Sequence, residues 1–385
     1  MTSRTTTARA FLPDFKVEKH FSRWEFTARY HLTASDAESM PMAELLAMAD
    51  DHDRRAWDTL ELGYTETFGD PALREAIAQT YENVDADQII CFSGAEEGLY
   101  LAMQTLLGPQ DHAIVITPNY QSAETVPLSL CAVTGVALDP TANWALDVDA
   151  LIAAIRPNTQ VVSVNFPNNP TGKVIDAADF QRIAQVCAER DIWLFSDEVH
   201  RGLERDPAGT LPQAADISST ALSLNVMSKS LGLPGLRIGW IACQDSEVRS
   251  RLERAKHYTT ICNSAPSEVL ARIALKARKK ILARNDAIVR ANLPLFDAFF
   301  ADFPDLFQWA PPEGSCVCFP RYLGEDGVEN FCEALVQEAG VLLLPASTFG
   351  SELNPVPADR FRIGIGRRDP QPALDVFARW LKKRG

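Results

Sequence analysis

The chain has 385 residues, of which 46% are hydrophobic and 23% charged, a composition ordinary for a folded protein with a sizeable core. It excludes a disordered or fibrous chain. Asp and Glu (51) outnumber Lys and Arg (37) and give a formal net charge of −14, which argues against non-specific nucleic-acid binding because phosphate backbones are repelled.

No stretch approaches the roughly 18 uninterrupted apolar residues of a transmembrane helix, so we expect no membrane partner. Residues 1–10 carry arginines and threonines, and no apolar core of a signal peptide follows them. The eight cysteines are scattered without CxxC spacing, which predicts neither a zinc site nor a disulfide framework. We therefore expect a cytoplasmic protein without a bound metal.

Residues 70 to 245 alternate between helical periodicity and short apolar runs. A helix is predicted from Pro71, with Leu73, Ile77 and Tyr81 on one face. Strands are predicted at 113–116, 161–164, 192–195, 221–224 and 238–241, with helices at 147–156 and 177–189. Because continuous apolar runs are typical of strands covered on both faces, we predict an α/β fold with a mostly parallel sheet between helix layers.

After Pro266 the pattern changes to one long helix that runs towards Leu295. A smaller α/β lobe follows, with predicted strands near 315–319, 341–344 and 361–365 and helices at 326–339 and 370–383. The basic cluster in the long helix is interpreted as a solvated face rather than a nucleic-acid patch; it consists of Lys276, Arg278, Lys279 and Lys280. We predict a large domain over 46–265 and a small domain formed by 1–45 and 266–385.

The segment from Ser228 to Trp240 reads S-K-S-L-G-L-P-G-L-R-I-G-W. It places Lys229 directly after an apolar strand, and a glycine-rich turn and Arg237 follow. A partly desolvated amine is more readily deprotonated, and the neutral amine is the form that makes a Schiff base. Arg237 could supply a fixed cation for a phosphate.

This segment closely resembles the lysine signature of the fold-type I pyridoxal-phosphate enzymes in the class I/II aminotransferase superfamily. Further motifs follow the family's order between residues 64 and 362. The resemblance implies the PLP-dependent transferase fold, pyridoxal 5′-phosphate as cofactor, and Lys229 as the residue that carries it. It also implies cofactor contacts from Ser228 and Arg237, and a homodimer with shared active sites.

Two motifs resemble the family's phosphate contacts. Tyr64, in Y-x-x-x-x-G-x-x-x-L-R, is expected to reach the cofactor phosphate of the other subunit, although the spacing also fits a turn before a helix. The run S-G-A-E-E-G at 93–98 precedes a helix, whose free N–H groups can bind an anion. By resemblance, the backbone of Gly94, Ala95 and Glu96 holds the phosphate. The acidic Glu96 departs from the usual hydroxyl residue, and we expect its side chain to point away.

Three motifs follow predicted strands. Tyr120 either stacks on the pyridine ring, as the resemblance implies, or is a core aromatic. Asn169, in the turn at 165–172, is expected to bond the cofactor's O3′ and to contact the substrate. A carboxylate at a buried strand end, such as Asp197, is costly unless it meets a cation. By resemblance that cation is the protonated pyridine nitrogen, which keeps the ring an electron sink.

Arg362 lies among apolar residues near the C-terminus, and its planar guanidinium suits bidentate carboxylate binding. The resemblance implies that it anchors the substrate's α-carboxylate. Arg367 and Arg368 are expected on the surface.

Two positions depart from the family. His200 replaces a tyrosine and is expected either to donate a hydrogen bond to O3′ in its place or only to pack. Val226 replaces a serine, so one phosphate contact is missing and Ser228 could substitute. In the region 32–41, where relatives carry a loop that closes over the substrate, Asp36 and Glu38 either select a basic side chain or are exposed loop acids.

The resemblance implies an aminotransferase that moves an amino group between an amino acid and a 2-keto acid through a Lys229 Schiff base, with Lys229 as general base and acid. The alternative is a PLP-dependent lyase, cyclase or oxidase acting on an amino acid. A branch with similar N-terminal and lysine regions includes enzymes that act on arginine without transamination. A ligand sensor fused to a DNA-binding module is disfavoured, since the chain has no room for such a module.

Overall fold

A computed structural model describes residues 12–384, so the expectation for residues 1–10 lies outside the described range. None of the helices in that range is long and apolar enough to cross a membrane. The strands are β1 (Tyr30–His31), β2 (Ile89–Phe92), β3 (His112–Thr117), β4 (Ala132–Ala137), β5 (Thr159–Asn165), β6 (Trp193–Asp197), β7 (Ala221–Val226), β8 (Gly239–Cys243), β9 (Phe307–Gln308), β10 (Val317–Cys318), β11 (Arg321–Tyr322), β12 (Val341–Leu342), β13 (Leu344–Pro345) and β14 (Phe361–Gly364).

The α-helices are α1 (Lys16–Trp24), α2 (Met42–Leu46), α3 (Asp51–Asp58), α4 (Pro71–Ala78), α5 (Ala95–Leu106), α6 (Ser122–Leu128), α7 (Val148–Ala153), α8 (Ala177–Glu189), α9 (Ala214–Ile217), α10 (Ser246–Lys256), α11 (Ala265–Lys276), α12 (Arg278–Ala301), α13 (Val328–Ala339) and α14 (Gln371–Arg384). Short 3-10 helices lie at Ala86–Gln88, Pro207–Gly209, Pro234–Leu236 and Ala346–Phe349.

The central sheet has seven strands in the order β2-β8-β7-β6-β5-β3-β4. All neighbouring pairs are parallel except those of β8, which runs antiparallel to β2 and β7. The predicted α/β fold with a mostly parallel sheet is confirmed. The five predicted strands correspond to β3, β5, β6, β7 and β8.

Short sheets surround the C-terminal part of the chain. β1 pairs with β12 in parallel, and β14 lies between β10 and β13, antiparallel to both. The N-terminal β1 is thus joined to a strand more than 300 positions later. The domain boundaries at 45/46 and 265/266 stay a prediction.

The helix predicted from Pro71 forms because Asp70 caps it: the Asp70 Oδ1 accepts from the Leu73 N–H at 2.9 Å. It ends at Ala78, so the expectation that Tyr81 lies on its face is wrong. Tyr81 is buried beyond the helix end, where its hydroxyl accepts a hydrogen bond from Trp240 Nε1 at 3.1 Å.

The single long helix predicted after Pro266 is wrong, because α11 ends at Lys276 and α12 begins at Arg278. The prediction of a solvated face is incomplete for Lys276, because this side chain forms ion pairs. Its Nζ lies 2.7 Å from Asp53 Oδ2 and 2.9 Å from Asp50 Oδ2. Asp53 is fully buried and also accepts from Arg272, so these ion pairs join α3 to α11.

Helix α5 lies close against the sheet because of a glycine. A Cβ added at Gly98 would lie 2.9 Å from Leu224 Cδ1 and 3.2 Å from Phe92 Cδ2. A larger residue would therefore push α5 away from β7 and β2. This packing sets the position of the α5 N-terminus, which begins at Ala95.

Candidate active site

A cavity of about 1000 Å³ opens where parallel strands β5, β6 and β7 end. This edge of an open α/β sheet is where ligands usually bind. The cavity is lined by ten of the residues predicted from sequence: Ala95, Glu96, Tyr120, Asn169, Asp197, His200, Ser228, Lys229, Arg237 and Arg362. Gly94 and Tyr64 are not in its lining.

Lys229 follows β7 and reaches into the cavity. Its Nζ donates a hydrogen bond to Ser35 Oγ at 2.8 Å, and its backbone carbonyl accepts from Ala37 N–H at 3.0 Å. Burial lowers the pKa of the Lys229 amine below its usual value, although the Asp36 carboxylate opposes the change. The neutral, nucleophilic amine is therefore more populated near neutral pH than it is for an exposed lysine.

Asp197 ends β6, and its backbone carbonyl accepts from Asn165 Nδ2 at 3.0 Å. Its Oδ1 accepts from the Val199 N–H at 3.2 Å. Burial raises the pKa of Asp197 to about 6, while the Val199 N–H and the Lys229 cation lower it. A cation bound beside this carboxyl would stabilise its ionised form.

Arg362 on β14 is 1% exposed, and two of its nitrogens are occupied. Nη1 donates to Asn169 Oδ1 at 3.0 Å and Nη2 to the Thr33 carbonyl at 2.7 Å. The buried Nε has no hydrogen-bond partner among residues 12–384. Burial lowers the pKa of the guanidinium to about 10, so it stays charged at neutral pH. A buried cation with an unused donor is suited to an anionic ligand.

The N-terminus of α5 and Arg237 together form a second site that is suited to bind an anion. Gly94 caps the helix with φ +93°, and a Cβ added there would lie 2.5 Å from Arg237 Nη2. Glycine is therefore needed both for the backbone conformation and for the approach of the guanidinium. Free helix N–H groups beside a cation can hold a phosphate. Ser228 is buried in the same wall, and so is the valine at 226.

Two carboxylates line the cavity near Tyr120. The Tyr120 hydroxyl donates to Glu18 Oε1 at 2.7 Å, and the Ser122 hydroxyl donates to Glu96 Oε2 at 3.0 Å. Burial raises the pKa of Glu96 to about 7 even though part of its side chain faces open space. Glu18 comes from α1, and no local pattern in the sequence pointed to it.

His200 is buried in the cavity wall, where its Nδ1 lies 2.9 Å from Ser315 Oγ. Burial, with Lys229 and Arg362 nearby, lowers the pKa of this imidazole well below its usual value, so the ring is neutral. If the Ser315 hydroxyl donates to Nδ1, then Nε2 carries the proton and can donate a hydrogen bond into the cavity.

The Arg367 side chain is 36% exposed, as a surface position predicts, but it also faces the cavity. Arg367 lines the cavity, and its Nη2 donates to Asp36 Oδ2 at 2.7 Å. Asp36 also lines the cavity, so it is not an exposed loop acid, but its charge is matched by Arg367. Glu38 is outside the lining and accepts from the Arg368 backbone N–H at 2.9 Å, and Arg368 is exposed as expected.

Tyr64 is 92% exposed in the single chain, away from the cavity of that chain. Its predicted contact with a second subunit therefore stays a prediction.

The chain matches the family model for aminotransferase class I and II over residues 39–372. Among its relatives, capreomycidine synthase of Streptomyces vinaceus is 29% identical over 94% of this chain and 92% of that protein. Arginine–pyruvate transaminase of Pseudomonas aeruginosa is 29% identical over 78% of this chain and 77% of that protein. A PLP-dependent aminotransferase structure from Streptococcus suis superposes with a TM-score of 0.89 at 28% identity, covering 97% and 98% of the two chains.

Proposed function

The chain belongs to the class I and II aminotransferase family and is a pyridoxal-phosphate-dependent transaminase, and we propose that its amino donor is an amino acid with a basic side chain. The observation that carries the substrate class is the pair of cavity carboxylates, Glu18 and Glu96, for which no ion pair exists within residues 12–384. The steady-state test is to pair a panel of donors with an acceptor keto acid. Arginine, lysine or ornithine should be turned over faster than alanine or aspartate.

The cavity residues fit pyridoxal phosphate. The α5 N-terminus with Arg237 suits its phosphate, Tyr120 offers an aromatic face for its ring, and Asp197 suits a protonated ring nitrogen. When bound, this cofactor withdraws the electron pair that remains at the substrate Cα after proton loss. Asn169 and His200 line the same wall and are assigned here to the ring oxygen O3′.

Lys229 and Arg362 have separate roles towards the substrate. Arg362 holds the α-carboxylate and so orients the Cα–H bond. Burial lowers the pKa of the Lys229 amine and favours its neutral form, which would take the Cα proton and, with the cofactor bound, would deliver it to the cofactor's C4′. Both roles rest on the positions of these side chains around one cavity.

The charges in the cavity favour a cationic substrate side chain. Arg367 is paired with Asp36, and the remaining cations have roles towards the cofactor or the substrate carboxylate. Among residues 12–384, the side chains of Glu18 and Glu96 accept hydrogen bonds only from neutral hydroxyls. A guanidinium or ammonium near them would form an ion pair with Glu18 and would favour the ionised form of Glu96, whose pKa burial raises to about 7.

The names of relatives do not decide the substrate. Arginine–pyruvate transaminase is 29% identical, and so is a probable N-succinyldiaminopimelate aminotransferase of Mycobacterium tuberculosis over 73% of the chain. The size of the cavity, about 1000 Å³, leaves room for the cofactor and for a long side chain.

Replacing Glu18 with glutamine should lower kcat/KM for arginine by about tenfold, since Gln keeps an acceptor for Tyr120 but removes the charge that attracts the donor. Turnover of alanine should be unchanged. Glu333→Gln is the matched control, because Glu333 pairs with Arg23 of the same helix α1 outside the cavity. An equal loss for both donors would contradict a role of Glu18 in selecting a cation.

His200→Phe should raise the pH at which the yellow cofactor–lysine complex bleaches, because an N–H donor to O3′ stabilises the ionised oxygen. A hydrogen bond to a charged acceptor is worth about 1.5–3 kcal/mol, so the expected rise is roughly 1–2 pH units. An absorbance titration measures it, and His200→Tyr should titrate close to wild type. A Phe variant that binds cofactor fully and titrates like wild type would leave His200 with a packing role only.

A homodimer with shared sites is supported by a cluster of exposed apolar side chains. Leu62 and Tyr64 are 84% and 92% exposed, and Tyr258 and Ile261 are exposed on a neighbouring turn. The two segments are in contact, since Thr67 Oγ1 lies 3.3 Å from His257 Nε2. Large exposed apolar groups that cluster in this way are typical of a protein interface.

Mixing Lys229→Ala with Tyr64→Ala protein should restore activity although each variant alone is inactive. Half of randomly reassorted dimers are hybrids with one intact site, so the expected recovery is about a quarter of wild-type activity. Subunit exchange is verified with tagged chains and native mass spectrometry. No recovery after verified exchange would argue against a site shared between subunits.

A PLP-dependent cyclase is the second candidate. The similarity to capreomycidine synthase runs over 370 residues and 94% of the chain, a larger share than the 78% for arginine–pyruvate transaminase or the 73% for the N-succinyldiaminopimelate aminotransferase. A cyclase would form product from the amino acid without an acceptor keto acid, whereas a transaminase requires one.

A cytoplasmic location is proposed from the thiols. All eight cysteines are unpaired, and six of them are buried. Unpaired thiols in this number are typical of proteins in a reducing compartment.

A further inference from the structure

Residues 32–38, here called the N-terminal strap, pass between the Lys229 loop and strand β14. The Ala37 N–H donates to the Lys229 carbonyl at 3.0 Å, and the Leu32 carbonyl accepts from the Gly364 N–H at 2.9 Å. The Thr33 carbonyl accepts from Arg362. The strap is therefore bonded on both sides to segments that carry the residues assigned to substrate binding and proton transfer.

Three glycines let the strap approach this closely. A Cβ added at Gly364 would lie 2.2 Å from the Ala34 carbonyl oxygen, and one at Gly366 would lie 2.8 Å from the Asp36 carbonyl oxygen. Gly232, with φ +67°, approaches the Glu38 carbonyl oxygen to 2.8 Å by the same measure. Backbone lies against backbone at all three positions, so the depth of the strap in the cavity is fixed.

At this depth the strap presents Ser35 to the lysine. Ser35 is 9% exposed, and its Oγ accepts the hydrogen bond from Lys229 Nζ at 2.8 Å. This is the one side-chain hydrogen bond of that amine within residues 12–384. The adjacent Asp36 carboxylate bonds Arg367 instead. The amine is thus held by a neutral hydroxyl rather than by a carboxylate.

A hydroxyl partner has a specific consequence for a proton-transferring amine. It can accept from the ammonium form and can donate to the lone pair of the neutral form, so it orients the amine in both protonation states. A carboxylate can only accept, and it would hold the proton on the amine. We propose that Ser35 is a positioning residue for Lys229, which orients the free amine towards the substrate Cα during the steps in which the lysine is not bonded to the cofactor. This inference rests on the proposed role of Lys229.

The test uses the full-length enzyme loaded with pyridoxamine phosphate, in which the lysine amine is free. Amine acetylation at Lys229, read by peptide mass spectrometry against the exposed Lys382, is followed as a function of pH. Because only the neutral amine reacts, the profile gives the pKa of Lys229. Ser35→Ala should lower this pKa by about one unit, since the hydroxyl bonds the charged form more strongly than the neutral form. Ser35→Thr should restore the wild-type profile.

Turnover provides the second readout. Ser35→Ala should lower kcat by about tenfold with KM within about twofold, and should enlarge the isotope effect of a Cα-deuterated donor, because proton transfer becomes slower. Ser39→Ala is the matched control, since Ser39 is close in sequence but its hydroxyl accepts from Arg367. Neither readout should change in it.

Three outcomes would overturn the proposal: a Ser35→Ala labelling profile identical to wild type, a rise in KM alone, or an equal effect of Ser39→Ala. The labelling requires neither donor nor acceptor. It therefore reports on Ser35 even if the proposed transamination of basic amino acids fails.

Discussion

Lys229→Ala is expected to lower turnover by at least about 10⁴-fold, the upper range for losing a positioned acid–base group, because the same amine also binds the cofactor covalently. The structure supports this role through the position of the amine, which reaches into the cavity beside Ser35. Rates of keto-acid formation measure the loss. Borohydride reduction of the wild-type protein, which fixes the lysine–cofactor bond, should place pyridoxyl on Lys229.

Lys280→Ala is the control for this variant, because Lys280 is an exposed lysine of α12. It should keep wild-type turnover and wild-type labelling. Pyridoxyl on any other lysine, or a Lys229→Ala protein that keeps a few per cent of activity, would contradict the assignment.

Arg362→Leu is expected to lower kcat/KM by about 10²–10³-fold, mainly through KM. Removing one partner of a buried, hydrogen-bonded charge pair costs about 2–5 kcal/mol. The guanidinium is buried, stays charged because its pKa is about 10, and has an unpartnered Nε among the described residues. Initial rates over a range of donor concentrations separate KM from kcat.

The Arg362→Leu variant has two controls, a neighbouring arginine variant and a substrate that lacks the α-carboxylate. Arg360 lies outside the cavity lining and pairs with Asp359, so Arg360→Leu should leave KM unchanged. An amine without an α-carboxylate, such as agmatine, should react equally slowly with wild-type and Arg362→Leu protein. If the variant lost the same factor with agmatine as with arginine, the damage would be structural and the carboxylate role would be wrong.

The sequence predicts the strands and site residues that have a local signal. Asp197 stands at the end of an apolar run, and Lys229 stands between an apolar run and a glycine-rich turn. Because parallel strands end at the same edge of a sheet, residues that follow such strands are expected to share one cavity. This expectation requires no information about long-range contacts. The placement of Asn169 and Tyr120 in the same lining follows for the same reason.

Other features have no local signal. β4 is one of the two edge strands of the central sheet and has mixed burial and a glycine at 135, so its residues lack the continuous apolar run of the inner strands. The contact between Ser35 and Lys229 joins residues 194 positions apart, and that between Glu18 and Tyr120 joins residues 102 apart. These contacts depend on where the N-terminal segment packs against the rest of the chain. The hydrophobic periodicity of the sequence does not predict that position.

Arg367 makes a contact that its place in the sequence does not predict. Its side chain is partly exposed, and the approach of Gly366 to the Asp36 backbone brings the strap beside it, where Asp36 pairs with the guanidinium. The pairing removes Asp36 from the acids available for a substrate. The specificity proposal therefore rests on Glu18 and Glu96.

A single-turnover reaction of the loaded enzyme with arginine, without any acceptor keto acid, shows whether the enzyme transfers the amino group to its cofactor. A transaminase should release one equivalent of 2-keto acid per active site and convert the cofactor to its amino form, and the yellow form should return when a keto acid is added. Continuous product formation without an acceptor, with the cofactor remaining yellow, would contradict transamination and indicate a lyase or cyclase.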